Sequence, residues 1–277
     1  MIDFILANER EIYSVSYFLA LTAVAVWEMA APRRALTQSL KRRWTGNFAI
    51  TILDIIVIRL VFPMAAVGMA LLAEDWRFGL FNLINAPFWI AAVVSILAID
   101  FARYLQHFLL HHWSPLWRLH RVHHADLDYD FTVGLRFHPL EGLYSMGFVV
   151  AAVMLVGAPP AVVALMEAAT AISGVFVHAN ARLPLGLDRL LRTLIVTPDM
   201  HRVHHSTARV EQDSNYGAVF PFWDKLMQTY RPQPAAGHQG MSLGLPEMRD
   251  EQCLGLSWML TAPFLPQPQN RAAERSS

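Results

Sequence analysis

Asp100–His124 reads DFARYLQHFLLHHWSPLWRLHRVHH and contains His107, His111, His112, His120, His123 and His124. About 80 residues later, His201, His204 and His205 repeat the HxxHH spacing of His120, His123 and His124. Eleven of the twelve histidines lie between positions 107 and 205, and only His238 falls outside. On an α-helix, residues three and four apart share a face. His107 and His111 are four apart, and each HxxHH box has members three and four apart, so each set is expected to aim its imidazoles at one point. Neutral imidazole binds iron, zinc, copper and nickel well. Eight such ligands exceed the needs of one ion, so two metals are expected. Either His111 or its neighbour His112 could follow His107 as the second ligand, and helical phase favours His111.

The same stretch begins as the end of an apolar run, and working outward from it gives the fold. The chain of 277 residues is 55% hydrophobic and 16% charged, with a mean hydropathy of +0.33. That is more apolar and less charged than an ordinary soluble domain. Apolar runs at about 12–31, 48–73 and 86–110 are each long enough to cross a bilayer. A fourth, Met146 to Val177, is interrupted by Pro159 and Pro160 and divides into two halves that suit a hairpin. The expected class is all-α: a membrane bundle of about four spans, the last two a possible hairpin, carrying a cytosolic helical cap that holds the histidines. The expected divisions are an N-terminal segment (1–11), membrane helices (12–99), a histidine-bearing domain (100–230) that includes the 146–177 hairpin, and a tail (231–277).

The acidic start (Asp3, Glu9, Glu11) is unlike the basic n-region of a cleaved signal, so the first run is read as a membrane anchor. Arg33, Arg34, Lys41, Arg42 and Arg43 form a loop without an acid, which the positive-inside rule places in the cytoplasm. A hairpin at 146–177 returns the chain to the side it left, which puts both histidine clusters on that same side. A single span there would leave them on opposite faces, where they could not build one centre.

Net charge is zero, so nothing points to nucleic acid. The lone cysteine, Cys253, excludes an intramolecular disulfide and a cysteine-based zinc module. Asp100 and Tyr104 lie on the stripe of His107 and His111, either as groups that orient a ligand imidazole or as an interfacial Asp and a member of an aromatic belt. Asp126, Asp128 and Asp130 alternate with apolar residues and read as polar surface or as support for the site. They lack the glycine and terminal Glu of a calcium loop. His138 precedes a proline and is expected in a loop. Leu254–Phe264 is too short to span, and QNRAAERSS at the end reads as disordered.

With these motifs in hand, the chain resembles the fatty acid hydroxylase / sterol desaturase superfamily. HxxxH at His107 and His111 and the two HxxHH boxes carry the resemblance, supported by RFHP, HAN and NYG…WD, over roughly Asp100 to Tyr230. It implies a non-haem di-iron, O2-dependent membrane oxidase that acts on lipid C–H bonds. It also implies His138 and His178 as ligands between the boxes, giving ten in all, with Asn180 of HAN beside them. The chain departs from the family where the usual Phe-Gly-Thr-Tyr reads Met-Gln-Thr-Tyr at Met227–Tyr230. Hydroxylation is expected over desaturation. The lipid could be a fatty acyl chain, a sterol or hopanoid, an ether lipid or a carotenoid. No GxGxxG, flavin or cytochrome motif is visible, so electrons are expected from a separate ferredoxin- or cytochrome-type protein. The alternatives are a membrane zinc hydrolase, which would need the HExxH glutamate that neither HRVHH box has, and a metal carrier, which would need polar groups along several spans.

Overall fold

The structure, a computed structural model, describes residues 1–266, and among these it is helical with only isolated β-bridges. In chain order the principal helices are α1 (Ile2–Ala7), α2 (Glu9–Ala30), α3 (Leu40–Val61), α4 (Ala65–Asp75), α5 (Leu80–Leu83), α6 (Phe88–His112), α7 (Ser114–His124), α8 (Pro139–Val156), α9 (Pro160–Val177), α10 (Leu185–Leu191) and α11 (Pro198–His204). Five stretches are long and apolar enough to cross a membrane: Glu9–Ala30, Leu40–Leu83, Phe88–His112, Pro139–Val156 and Pro160–Val177.

Two boundaries differ from the sequence reading. The run expected at 48–73 is not one helix. It breaks at Pro63, which has no N–H to give and disfavours helical geometry in the residue before it, and the chain restarts as the short α4. The hairpin starts earlier than position 146, at Pro139, so both of its arms have 18 residues. Gly157 ends α8 in the left-handed conformation (φ 67°), and a Cβ there would sit 3.0 Å from the Asn82 amide nitrogen. That close approach and the positive φ both call for glycine.

The arms of the hairpin diverge. α8 packs on α3, α4 and α6, whereas α9 packs on α2, α4 and α6. Small residues let α4 wedge between them: Ala66 and Ala70 join Ile99, Val153, Val163 and Met166 in a buried cluster at the end away from the histidines. Nearer the histidines the arms enclose a cavity of about 520 Å³.

A polar cap closes the histidine end. It is built from α7, α11 and the segments around them, and buried acids tie it to α3. Asp126 (2.8 Å) and Asp130 (2.5 Å) both bind the fully buried Arg43, and Asp128 accepts the Thr37 and Gln38 amides. These three aspartates are therefore buried anchors, a correction to their reading as polar surface. Removing one partner from such a buried pair leaves an uncompensated charge. Leu254–Phe264 docks on the protein, with Met259 and Ala262 buried against Ile50 and Val122. The QNRAAERSS end falls within residues 267–277, which lie outside the described part.

Candidate metal centre

Nine buried or half-buried imidazoles converge in two adjoining groups. His107, His111, His120, His124 and His204 form the first; His123, His178, His201 and His205 form the second. Within each group the candidate donor atoms all lie within 4.8 Å of one another. Neither HxxHH box serves one point. The first box sends His120 and His124 to the first group and His123 to the second. The second box does the reverse, sending His201 and His205 to the second group and His204 to the first. Helix geometry explains the split. At about 100° per residue, positions i and i+4 are about 40° apart, whereas i+3 and i+4 diverge by about 100°. The groups abut, with the His120 and His123 rings 5.1 Å apart and the His201 and His204 rings 5.0 Å apart.

The ring contacts have the character of ligands rather than of hydrogen bonds. His178 donates Nδ1–H to the Gly174 carbonyl (2.7 Å), which leaves a lone pair on Nε2. That single lone pair faces His201 Nε2 at 3.1 Å and His123 Nε2 at 3.3 Å. In the first group His120 Nε2 faces both His107 Nε2 (3.1 Å) and His124 Nε2 (3.2 Å). Two nitrogens bound to one ion at about 2.1 Å, with angles of 90–110°, stand roughly 3.0–3.4 Å apart. The observed contacts fall in that window. Burial, reinforced by neighbouring imidazoles, lowers the pKa of His123, His124, His201, His204 and His205 well below the usual 6.5. They are neutral near pH 7, the form that binds a metal. His123 Nδ1, His124 Nδ1, His201 Nδ1, His204 Nε2 and His205 Nε2 are buried without a hydrogen-bond partner among the described residues. The residues present thus fit two metal ions.

Outer contacts orient the rings. His120 Nδ1 meets Glu141 Oε1 at 2.6 Å, and His111 Nδ1 meets Asp213 Oδ1 at 3.2 Å. His107 Nδ1 donates to the Tyr216 carbonyl (3.0 Å) and His204 Nδ1 to the Ser214 carbonyl (2.7 Å). Sequence spacing gave Glu141 and Asp213 no role, because each is brought to its histidine by tertiary packing. The groups expected to orient imidazoles act elsewhere. Asp100 accepts from the Val219 amide and the Trp223 indole, Tyr104 bonds Thr229, and Asn180 exchanges hydrogen bonds with the Arg34 backbone. Asp100 and Tyr104 therefore pin the loop after α11 against α6, and that loop supplies the Tyr216 and Ser214 carbonyls.

His138 stands apart from both groups. It caps α8, accepting the Leu140 amide on Nδ1, so the structure brings together nine of the ten expected ligands. His112 is exposed and stacks on Phe108 at 3.9 Å, while His111 turns into the first group. At the Met-Gln-Thr-Tyr departure Gln228 takes φ 60° where the usual residue is glycine, and the turn still forms, with the Thr229 and Tyr230 amides both donating to the Asp224 carbonyl. Holding an L-residue there costs about 1–2 kcal/mol.

Comparison with known proteins agrees with this architecture. Residues 92–229 match the fatty acid hydroxylase family model. The chain is 27% identical to the ornithine lipid hydroxylase of Rhizobium tropici over 238 residues, covering 83% of this chain and 71% of that protein. It is 31% identical to human alkylglycerol monooxygenase over 162 residues (58% of this chain, 34% of that protein) and 29% identical to the Xenopus tropicalis enzyme over 140 residues (50% and 30%). The chain thus spans about a third of the length of the alkylglycerol monooxygenases it matches. No solved structure matches it. The motif spacing, the helical membrane architecture and the family match converge: the chain belongs to the fatty acid hydroxylase superfamily.

Proposed function

We propose that this multi-pass integral membrane protein is an O2-dependent di-iron lipid hydroxylase, with His107, His111, His120, His124 and His204 holding one iron and His123, His178, His201 and His205 the other. The observation that carries the reading is the cavity between the apolar helices. Its lining includes His107 and His120 of the first group and His123, His178 and His201 of the second. A lipid chain entering from the bilayer would therefore meet both groups at once. The activities named for the relatives, ornithine lipid hydroxylation and alkylglycerol monooxygenation, support hydroxylation.

Bound iron would supply the oxidising power for an unactivated C–H bond, which no side chain provides. The balance is one C–H bond and O2 converted to one C–OH bond and water, with two electrons and two protons taken from outside. The chain's own residues hold the imidazoles neutral, fix their ring orientation through Glu141, Asp213 and the loop carbonyls, and exclude bulk water with the buried cap. We assign the electrons to a separate ferredoxin- or cytochrome-type protein. We place the site on the cytoplasmic side, because the basic Arg33–Arg43 loop, the positive-inside signal, is bound to the cap through Arg33–Asp199 and Arg43–Asp126.

The test is anaerobic reconstitution of the detergent-purified chain with Fe(II), followed by iron analysis and Mössbauer spectroscopy. The expected result is about two irons per chain in a nitrogen-rich, coupled site, with O2 uptake in the presence of lipid and reductant. One tightly held zinc, without iron uptake or O2 consumption, would overturn it in favour of a hydrolase or carrier.

A further inference from the structure

The cavity is more polar, and polar at greater depth, than a hydrocarbon chain requires. Arg103 on α6 and Glu167 on α9 form an ion pair of 2.6 Å inside it, with side chains 18% and 19% exposed. Arg103 lies about 14 Å in from the histidine end of α6, and Glu167 about 15 Å in from the matching end of α9, at 1.5 Å per residue. The pair therefore sits well within the apolar part of the bundle. Ionisable groups at that depth are costly, and a pair serving only to join two helices is often replaceable by apolar residues without loss. Arg103 Nε is buried without a hydrogen-bond partner among the described residues. One turn nearer the histidines, Gln106 on α6 takes a 2.9 Å bond from Ser145 on α8 across the same cavity. Asp54 Oδ1, also on the lining, has no hydrogen-bond partner among the described residues. Unpartnered buried polar atoms call for a partner, and here the residues that carry them line the same cavity as the histidines.

We propose that Arg103 and Glu167 are specificity-determining residues that recognise a neutral group able both to accept and to donate a hydrogen bond, such as a hydroxyl or a secondary amide, on the lipid in the cavity. The Arg103 guanidinium is the donor to that group and the Glu167 carboxylate its acceptor. The substrate class is then a lipid whose chain carries such a group within reach of the histidines, and a plain hydrocarbon tail is disfavoured. This deepens the hydroxylase reading and rests on its placing of the lipid in this cavity.

The test needs no turnover. Metal-free full-length protein in detergent binds tritiated hexadecylglycerol, and two competitors are compared: unlabelled hexadecylglycerol and the same lipid with both hydroxyls capped as methyl ethers. The wild type is expected to favour the free diol by roughly tenfold or more, the scale of one charge-assisted hydrogen bond. The double variant Arg103→Met/Glu167→Met should bind both lipids and lose the preference. Glu167→Gln, which keeps shape and folding, should lose part of it. Equal binding of the two lipids by the wild type, or an unchanged preference in either variant, overturns the proposal. Because the readout is binding, a protein that takes up no iron and oxidises nothing would sink the hydroxylase reading while leaving this result interpretable. Lipid oxidation without the preference would sink the recognition role alone.

Discussion

Around His120, four outer ring nitrogens are tied down: His120 to Glu141, His111 to Asp213, and His107 and His204 to loop carbonyls. Around His123, His178 is held by the Gly174 carbonyl, while His123 Nδ1, His201 Nδ1 and His205 Nε2 have no hydrogen-bond partner among the described residues; in the first group the same holds for His124 Nδ1 and His204 Nε2. The first group has five imidazoles and two carboxyl groups behind them; the second has four imidazoles and, among the described residues, no carboxyl group bonded to them. A carboxylate behind an imidazole fixes its orientation and raises its basicity as a ligand. The same helices thus build one group backed by two carboxyl side chains and one held by a backbone carbonyl. The first is expected to keep its ion longer against a chelator.

The largest effects should come from the two histidines that cross between boxes and groups. His204→Ala removes a donor from the first group and His123→Ala one from the second. Each is expected to lower lipid oxidation by at least about a hundredfold, more than loss of an outer-shell partner does, with the protein still inserted and monodisperse. Iron analysis should show each variant losing mainly one ion of the two. Full activity in both would break the ligand assignment, and loss of both ions in each would show that the groups do not bind independently.

Next in size is Glu141→Gln, which keeps the shape and removes the carboxyl group behind His120. It should weaken retention of one ion by about 10–100-fold and reverse the order in which the two ions leave during chelation. An unchanged order would mean that the carboxylate is not what separates the groups. Asp213→Asn should follow the same direction by only severalfold, because Asp213 is 22% exposed, meets His111 at 3.2 Å and is shared with Arg209.

How far the sequence revealed this contrast depends on which atoms make it. The helical period of the apolar runs and the histidine spacing are local, so the bundle, the hairpin and the convergence of the boxes were legible. The divergence of i+3 from i+4 was also local, and reading the box as one face rather than as a wedge hid the exchange between groups. Glu141 and Asp213 were not legible, because they reach His120 and His111 from 21 and 102 residues away. Asp100 and Tyr104 misled for the opposite reason: they share a helical stripe with His107 but turn to Trp223 and Thr229. His138 carries the expected extended backbone before proline, and that conformation makes it a helix cap.

A smaller effect follows from protonation. His124 and His204 in the first group, and His123, His201 and His205 in the second, are held neutral by burial and by one another, with pKa values below 6.5. In the unfolded chain they titrate near 6.5, so below that pH the unfolded state binds protons the folded state does not. Stability of the metal-free protein should therefore be highest above pH 6.5 and decline as pH falls through it. Thermal midpoints in detergent at about pH 7.5 and about pH 5.5 check the sign. A midpoint that rose on acidification would contradict the buried, neutral state of both groups.

The smallest change is expected from the twelfth histidine. His238 comes from the tail and is buried, with Nε2 3.5 Å from Asp199. Burial lowers its pKa to about 4 against the opposing pull of Asp199, so near pH 7 it is neutral and contributes packing rather than charge. Asp199 keeps its partners without it: Arg33 binds both carboxylate oxygens and Arg202 binds one. Since Asp199 begins the helix that carries His201 and His204, this anchor positions both groups from outside. His238→Ala should lower the thermal midpoint by a few degrees, about 1 kcal/mol of lost packing, while both irons and lipid oxidation are retained. If one iron were lost instead, the tail would belong to the support of that group, and the asymmetry drawn from Glu141 and Asp213 would have to be extended to Asp199.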